Sequence, residues 1–197
     1  MSDRVFTHLL DQIHRCQECA RHLPRAPKPI LQADPRARIL IAGQAPGQRA
    51  HDSGLPFDDA SGDRLRRWLG VDRDTFYDPA QFAIVPMGFC FPGKARSGDA
   101  PPRPECAPIW REPLLVALPN IQLTLVLGRY ALAYHLPQLG TTVTGAVEQW
   151  EDVWPDYLPL PHPSPRNQAW FKRNGWFEAE LLPKLQHRVN QLLSHPV

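Results

Sequence analysis

The residues best suited to chemistry gather in the stretch 39–62, which reads ILIAGQAPGQRAHDSGLPFDDASG. Four apolar residues, 39–42, run into a turn rich in Gly and Pro at 43–47, which is typical of an interior strand that ends in a loop. Loops at the carboxyl ends of such strands are where α/β proteins bind ligands. Within this stretch, Phe57 offers either a surface on which a flat ligand stacks or a core anchor beneath the loop.

The four cysteines form two groups with different spacing. Two residues separate Cys16 from Cys19, whereas fifteen residues separate Cys90 from Cys106. Cytosolic proteins seldom keep disulfides, so four cysteines in two groups indicate a metal site. Zinc usually takes two closely spaced pairs, and the wide second pair suits an iron–sulfur cluster better because its ligands can come from separate loops. Zinc and four free thiols are the alternatives.

A second polar segment, His162-Pro163-Ser164-Pro165-Arg166-Asn167, occurs late in the chain. This hexapeptide resembles the second motif of the uracil-DNA glycosylase superfamily, the His-Pro-Ser loop. The GQAPG turn at 43–47, the GLPF sequence at 54–57 and the ASG sequence at 60–62 resemble the first motif region of that superfamily. The two motifs stand in the same order as in the superfamily, which makes the resemblance specific.

The resemblance implies a role for each motif residue. His162 would donate a hydrogen bond to the departing base, although it could instead bond a loop carbonyl, and Gln44 would orient the attacking water. The base would be expelled from the duplex, at a cost of a few kcal/mol. It would then be bound by Gly43, Ala45, Phe57 and Asp59. The flanking DNA would be contacted by Pro46, Gly47, Ser164, Arg166 and Asn167.

The cysteine spacing also resembles a known signature, the [4Fe–4S] pattern of the family-4 bacterial and archaeal uracil-DNA glycosylases. The resemblance implies a structural cluster bound by Cys16, Cys19, Cys90 and Cys106. Such a cluster would hold the N-terminal helix and the loop 90–106 beside the surface that faces DNA.

The chain departs from family 4 at the residue implicated in water activation. Family 4 has Glu where this chain has Gln44, and family 1 follows its Gln with Asp where this chain has Ala45. An amide can orient a water molecule but cannot take its proton. Asp58, Asp59 and His51 are candidates to replace the missing group.

A second departure concerns recognition of the base. Family 4 has an Asn four residues before its third cysteine, where it pairs with the uracil edge, and this chain has Pro86 there. A site built to hydrogen-bond a particular edge discriminates strongly between bases. Uracil must therefore be read by other donors, or the preferred base is another deaminated base such as hypoxanthine or xanthine.

Three functions are consistent with these motifs. The first is a monofunctional DNA glycosylase of base-excision repair that removes uracil or another deaminated base. The alternative is a catalytically weak DNA-binding or damage-sensing member of the same fold, which the two departures favour. A third possibility, a hydrolase of small nucleosides, leaves the arginine in the loop at 162–167 unexplained.

Composition predicts one globular domain spanning residues 1–197. The chain is 43% hydrophobic and 21% charged, and no apolar run approaches the ~20 residues of a membrane span. Its N-terminus lacks the apolar core of a signal peptide, so we expect a cytoplasmic protein with no membrane partner. We also expect a monomer. Net charge is only +2, so DNA binding must depend on local patches. The candidates are Arg64, Arg66 and Arg67, for which a solvated helix face is the favoured alternative, then Lys94 and Arg96, then Arg166, Lys172 and Arg173.

Predicted strands and predicted helices alternate along the chain. Apolar patterns predict strands at 39–42, 82–86, 121–127 and 157–161, and helices at 3–15, 63–69, 105–118, 129–135 and 175–193. In the helix at 105–118 the inward residues are predicted to be Ile109, Leu114, Leu115 and Leu118. The alternation predicts an α/β protein, a three-layer α/β/α sandwich with a central, mainly parallel, four-stranded sheet.

Overall fold

The computed structural model describes residues 3–96 and 98–194 of the chain, in which a sheet lies between two layers of helices. The strands are β1 (Ile39–Ala42), β2 (Phe82–Ile84), β3 (Leu123–Leu127) and β4 (Tyr157–Leu160). They are ordered β2-β1-β3-β4, and all three pairings are parallel. The predicted α/β class and parallel four-stranded sheet are confirmed.

Helices cover both faces of the sheet. The α-helices are α1 (Asp3–His14), α2 (Gln48–Ser53), α3 (Ala60–Leu69), α4 (Arg73–Phe76), α5 (Glu112–Val116), α6 (Gly128–His135), α7 (Val143–Glu148), α8 (Gln168–Arg173) and α9 (Leu182–Ser194). Short 3₁₀ turns occur at Pro137–Leu139, Trp150–Val153 and Pro165–Asn167. Among the helices of residues 3–96 and 98–194, none combines the length and the apolar character needed to cross a bilayer.

Alternate strand residues point into different cores, as the two-residue period of a strand requires. Ile39 and Ile41 of β1 join the cluster that α3, α8 and α9 cover, whereas Leu40 joins the cluster formed with α1 and α5. A third cluster, beside α6 and α7, includes Ala42 at the carboxyl end of β1. Every residue of β1 is buried, so the loop that follows this strand has a rigid base.

Two helices open with π-helical turns, at Ala107–Arg111 and Phe177–Leu181, each just before a proline. Pro113 and Pro183 have no N–H to bond the carbonyl four residues earlier, and the wider turn accommodates this missing bond. The helix predicted at 105–118 therefore consists of a π turn and a short α-helix. Ile109, predicted to face inward, is 39% exposed, so this prediction is wrong.

Helix α3 begins three residues earlier than predicted. The carboxylate of Asp59 accepts hydrogen bonds from the N–H groups of Ser61 and Gly62, at 2.9 and 3.0 Å, and so caps the helix at its N-terminus. On the same helix Arg66 is buried, with its guanidinium 5.3 Å from the ring centre of Phe76. The prediction of a solvated face is wrong for this arginine.

Candidate functional site

A pocket of about 370 Å³ lies where the loops after β1, β2 and β4 meet. These loops follow the carboxyl ends of their strands, the edge at which open α/β sheets bind ligands. The structure brings both motif loops to this one pocket. The predicted site residues that line it are Gly43, Gln44, Ala45, Pro46, Gly47, Phe57, Asp59, His162, Ser164 and Arg166.

The turn that contains Gln44 is tied to two neighbouring segments. The carbonyls of Gly43 and Gln44 accept hydrogen bonds from the N–H groups of Met87 and Gly88, at 2.8 and 3.0 Å. The Nε2 of Gln44 donates to the carbonyl of Ala100, at 2.9 Å. Gln44 therefore connects the first motif to the loop at 92–104. Its role in orienting water stays a prediction.

Phe57 has an unusual backbone, with φ at 56°. A residue with a side chain is strained in this left-handed region, and such strain is common at functional sites. The conformation is stabilised by its surroundings: the hydroxyl of Tyr77 donates to the carbonyl of Pro56 at 2.9 Å. The Phe57 ring packs edge-on against Phe76 on its core side, with centroids 6.4 Å apart, and also faces the pocket.

On the pocket side, the rings of Phe57 and His162 lie 6.5 Å apart between centroids and 30° from parallel. The two residues belong to different motifs that are remote in sequence. Their rings therefore form two sides of the pocket, as the stacking and donor roles implied by the resemblance require. The structure places these two groups together, and their roles in catalysis stay predictions.

The proton on His162 can be assigned from its surroundings. The backbone N–H of Ser164 donates to Nδ1 of His162 at 3.2 Å, so in the neutral ring Nε2 carries the proton. Burial lowers the pKa of His162, and the negative charges of Asp59 and Asp99 oppose this effect only in part. His162 is thus a neutral imidazole with one N–H to donate.

The remainder of the second motif supports His162. The Nδ2 of Asn167 donates to the carbonyl of His162 at 2.8 Å, and Asn167 does not line the pocket. The hydroxyl of Ser164 accepts from the N–H of Arg166 at 3.2 Å, while the carbonyl of Ser164 accepts from Arg64 at 3.2 Å. These bonds stiffen the loop. DNA contacts by Ser164, Arg166 and Asn167 stay predictions.

Of the three groups suggested as substitutes for the missing carboxylate, only Asp59 lines the pocket. Asp58 pairs instead with Arg73, at 3.0 Å. The ring of His51 lies 6.0 Å from that of Phe91, and neither residue lines the pocket. One carboxylate oxygen of Asp59 already receives both N–H groups at the start of α3.

The pocket also contains charged residues to which sequence analysis assigned no place in the site. Arg49, Lys94 and Asp99 line it, and with Arg166 they provide three cations and a carboxylate. Lys94 and Asp99 form an ion pair, with Nζ 2.8 Å from Oδ1. Lys94 appeared among the basic patches, but Asp99 lies in a segment whose Gly and Pro content predicts only loop. No local signal marks Asp99 as a site residue.

Pro86 lies in the pocket lining, at the position that departs from family 4. The carbonyls of Val85 and Pro86 accept hydrogen bonds from Nη1 of Arg111, at 2.8 and 2.9 Å. Arg111 is fully buried, and burial lowers its pKa to about 10, so it stays protonated at neutral pH. The second terminal nitrogen of Arg111, Nη2, lies 2.6 Å from Nε2 of His135. A buried cation thus fixes the backbone under this side of the pocket.

All four cysteines line a second, smaller pocket beside the first. The indole N–H of Trp110 donates to the sulfur of Cys16 at 3.2 Å, and the N–H of Phe89 donates to the sulfur of Cys106 at 3.4 Å. Burial raises the pKa of Cys90 to about 11 and that of Cys106 to about 12, so without a metal both are protonated thiols. Bound metal would deprotonate them.

Four thiols around one cavity, with N–H groups directed at sulfur, are a donor set that fits an iron–sulfur cluster. Within residues 3–96 and 98–194, no group of three or more His, Cys, Asp or Glu side chains is arranged to hold a metal ion. The [4Fe–4S] cluster and its alternative, zinc, therefore stay predictions.

Comparison with known proteins agrees with this geometry. The family model described as the Uracil DNA glycosylase superfamily matches residues 31–186, which include both motif loops and two of the four cysteines, Cys90 and Cys106. A similar protein is the type-4 uracil-DNA glycosylase of Sulfurisphaera tokodaii. The two are 26% identical over 165 residues, which cover 76% of this chain and 71% of the relative. From the family match and the parallel sheet with both motif loops at one pocket, we conclude that this chain belongs to the uracil-DNA glycosylase superfamily.

Proposed function

We propose that this protein hydrolyses the N-glycosidic bond that joins uracil, or another deaminated base, to deoxyribose in DNA. The observation that carries the proposal is the pairing of Phe57 and His162 across one pocket, with centroids 6.5 Å apart. A stacking ring and a neutral hydrogen-bond donor are the two groups that a glycosylase needs around an expelled base. The similar archaeal protein, named a type-4 uracil-DNA glycosylase, supports the same reaction class.

The chemical demand is stabilisation of a departing anion. As the bond breaks, the sugar gains positive character and the base gains negative charge on its carbonyl oxygen. The Nε2–H of His162 donates to that oxygen. Because the pKa of His162 is lowered and the ring is already neutral, its hydrogen bond strengthens as charge develops, without an earlier loss of a proton.

The base must leave the duplex before it can reach a buried imidazole. Phe57 stacks on the expelled base and replaces part of the stacking energy that is lost. Arg49, Lys94 and Arg166 lie around the same pocket and supply positive charge for the phosphates on either side of the lesion. Local charge of this kind accounts for DNA binding by a chain whose net charge is only +2.

The cysteines serve a structural purpose in this proposal. Cys16, Cys19, Cys90 and Cys106 would hold a [4Fe–4S] cluster, which would supply a cross-link rather than a reacting group. Cys16 lies two residues after α1, and Cys90 and Cys106 flank the loop that carries Lys94 and Asp99. The cross-link would connect this loop to the N-terminal helix, at the side of the pocket that meets DNA.

The test is an excision assay on oligonucleotides that carry a single uracil, hypoxanthine or xanthine, in single strands and in duplexes. Alkaline cleavage at abasic sites reports the product. A His162→Ala preparation, purified in parallel from a host strain without its own uracil-DNA glycosylase, controls for contaminants. We expect the wild type to cleave at least one lesion, and to do so much faster than the His162→Ala preparation.

Binding measured on the same oligonucleotides separates the two functions. Measurable binding without abasic product from any lesion would overturn the glycosylase proposal. That outcome would favour the damage-sensing alternative. Two residues support this alternative: Gln44 and Pro86 stand where family 4 has Glu and Asn.

A further inference from the structure

We propose that Asp99 is the catalytic carboxylate that takes the proton from the attacking water, an inference that rests on the function proposed above. The reaction needs a group that accepts this proton as the water oxygen approaches the sugar. Gln44 has an amide, which cannot accept it, and Ala45 has no polar atom. The carboxylate must therefore come from outside the turn at 43–47.

Asp99 reaches the first motif across space. Its Oδ2 would lie 3.3 Å from a Cβ atom built on Gly47, so the carboxylate stands directly against the motif turn. It lines the same pocket as Phe57 and His162. Its charge is also near enough to His162 to act on the ionisation of that ring.

A hydrogen bond connects Gln44 to the segment that carries Asp99. The Nε2 of Gln44 donates to the carbonyl of Ala100, the residue after Asp99, at 2.9 Å. On the other side, Oδ1 of Asp99 accepts from Nζ of Lys94 at 2.8 Å. Lys94 engages one oxygen, and Oδ2 is the oxygen that faces the motif turn. The side chain is 32% exposed, so water can reach it.

The competing carboxylates are less suitable. Asp58 is paired with Arg73 and does not line the pocket. Asp59 lines the pocket, but its Oδ1 accepts two N–H groups at the start of α3, so this carboxylate is already engaged in capping the helix. Asp99, in contrast to Asp59, accepts a hydrogen bond from a flexible lysine side chain and does not cap a helix.

The proposed step balances as follows. A proton of the water passes to Asp99, and the water oxygen forms a bond to C1′ of the sugar. The bond from C1′ to the base nitrogen breaks, and its electron pair leaves with the base, whose carbonyl oxygen is bonded to His162. Asp99 then releases its proton to solvent, the base anion gains one, and the products are the free base and an abasic sugar with a hydroxyl at C1′.

The experiment compares single-turnover excision at saturating enzyme, on the best lesion found for the wild type, for four variants. Asp99→Asn is expected to slow excision by about 100-fold or more, the usual range for loss of a general base, with DNA affinity unchanged. Asp99→Glu should restore part of the rate. Asp58→Asn, outside the pocket, should match the wild type, and Asp59→Asn, which keeps a capping oxygen, should lose less than tenfold.

A fifth variant separates chemistry from loop structure. Lys94→Met breaks the ion pair but keeps the carboxylate, so it should lose much less rate than Asp99→Asn. An Asp99→Asn enzyme with the wild-type rate, or a Lys94→Met enzyme equally slow, would overturn the assignment. Absence of excision by the wild type itself would instead overturn the proposed function, and this inference with it.

Discussion

A Cβ atom on Gly62 would lie 1.8 Å from the carbonyl oxygen of Phe57, well inside van der Waals contact. Gly62 is in the first turn of α3, and Phe57 has a positive φ in the loop just before it. The strained loop and the helix therefore pack backbone against backbone, and only glycine leaves room. This contact explains why the loop sequence PFDDASG aims an aromatic ring into the pocket.

Gly62→Ala should both destabilise the protein and displace Phe57. We expect a loss of about 3 kcal/mol or more in the free energy of unfolding, because backbone must move on one side of the contact. Urea denaturation measures the loss. Gly175→Ala is the matched control, since a Cβ there meets nothing within 4 Å and it should leave stability unchanged or slightly raised. Equal stability of Gly62→Ala and wild type would contradict the packing described.

His162→Ala should slow excision by about 100-fold or more while the fold stays intact, as expected when one donor to a developing anion is removed. His187→Ala, which replaces an exposed histidine on α9, is the control and should keep the wild-type rate. Circular dichroism of both variants checks folding. An unchanged rate in His162→Ala would remove this residue from the mechanism.

Two partly buried histidines should make stability depend on pH. Burial, and secondly the charge of Arg111, lowers the pKa of His135 to about 3, and burial lowers that of His162. Their unfolded-state pKa is about 6.5, so below that pH the unfolded chain binds more protons than the folded one. Stability from these groups is therefore fully present above pH ~6.5 and declines as pH falls.

Urea unfolding between pH 7.5 and 5 measures this slope, in a range above that in which carboxylates with lowered pKa contribute. His135→Gln keeps an acceptor for Arg111 but cannot titrate, so its slope should be shallower than that of the wild type. His187→Gln should keep the wild-type slope. The same slope in all three proteins would show that His135 is not buried as a neutral ring.

Protein purified without oxygen should be brown and contain about four iron atoms per chain, the content of one [4Fe–4S] cluster. Cys106→Ser removes one ligand and should lower the iron content and the thermal stability. Because the proposed role of the cluster is structural, reduction or oxidation of the bound cluster should leave the excision rate unchanged. Colourless protein with stoichiometric zinc would instead support the alternative metal.

Much of the fold could be predicted because its signals are local. Short apolar runs ended by Gly or Pro marked β1 and β3, and two motif loops were visible as residue types in a fixed order. Helix boundaries were less predictable. Whether α3 starts at residue 60 depends on Asp59 accepting two N–H groups. Ile109 lies within a π turn, where the spacing of side chains differs from the α-helical spacing on which the inward prediction depended.

The site residues could also be predicted only in part from the sequence. Through their resemblance to a known superfamily, the motifs already marked Gln44, Phe57, His162 and the four cysteines as candidate site residues. Their distances and protonation required the folded chain, because a neutral His162 results from burial and from a hydrogen bond to Nδ1. Asp99 lay in an unremarkable loop, and its meeting with Gly47 is a contact across 52 positions of the chain that no local pattern encodes, since it arises only when strands pair and their loops converge.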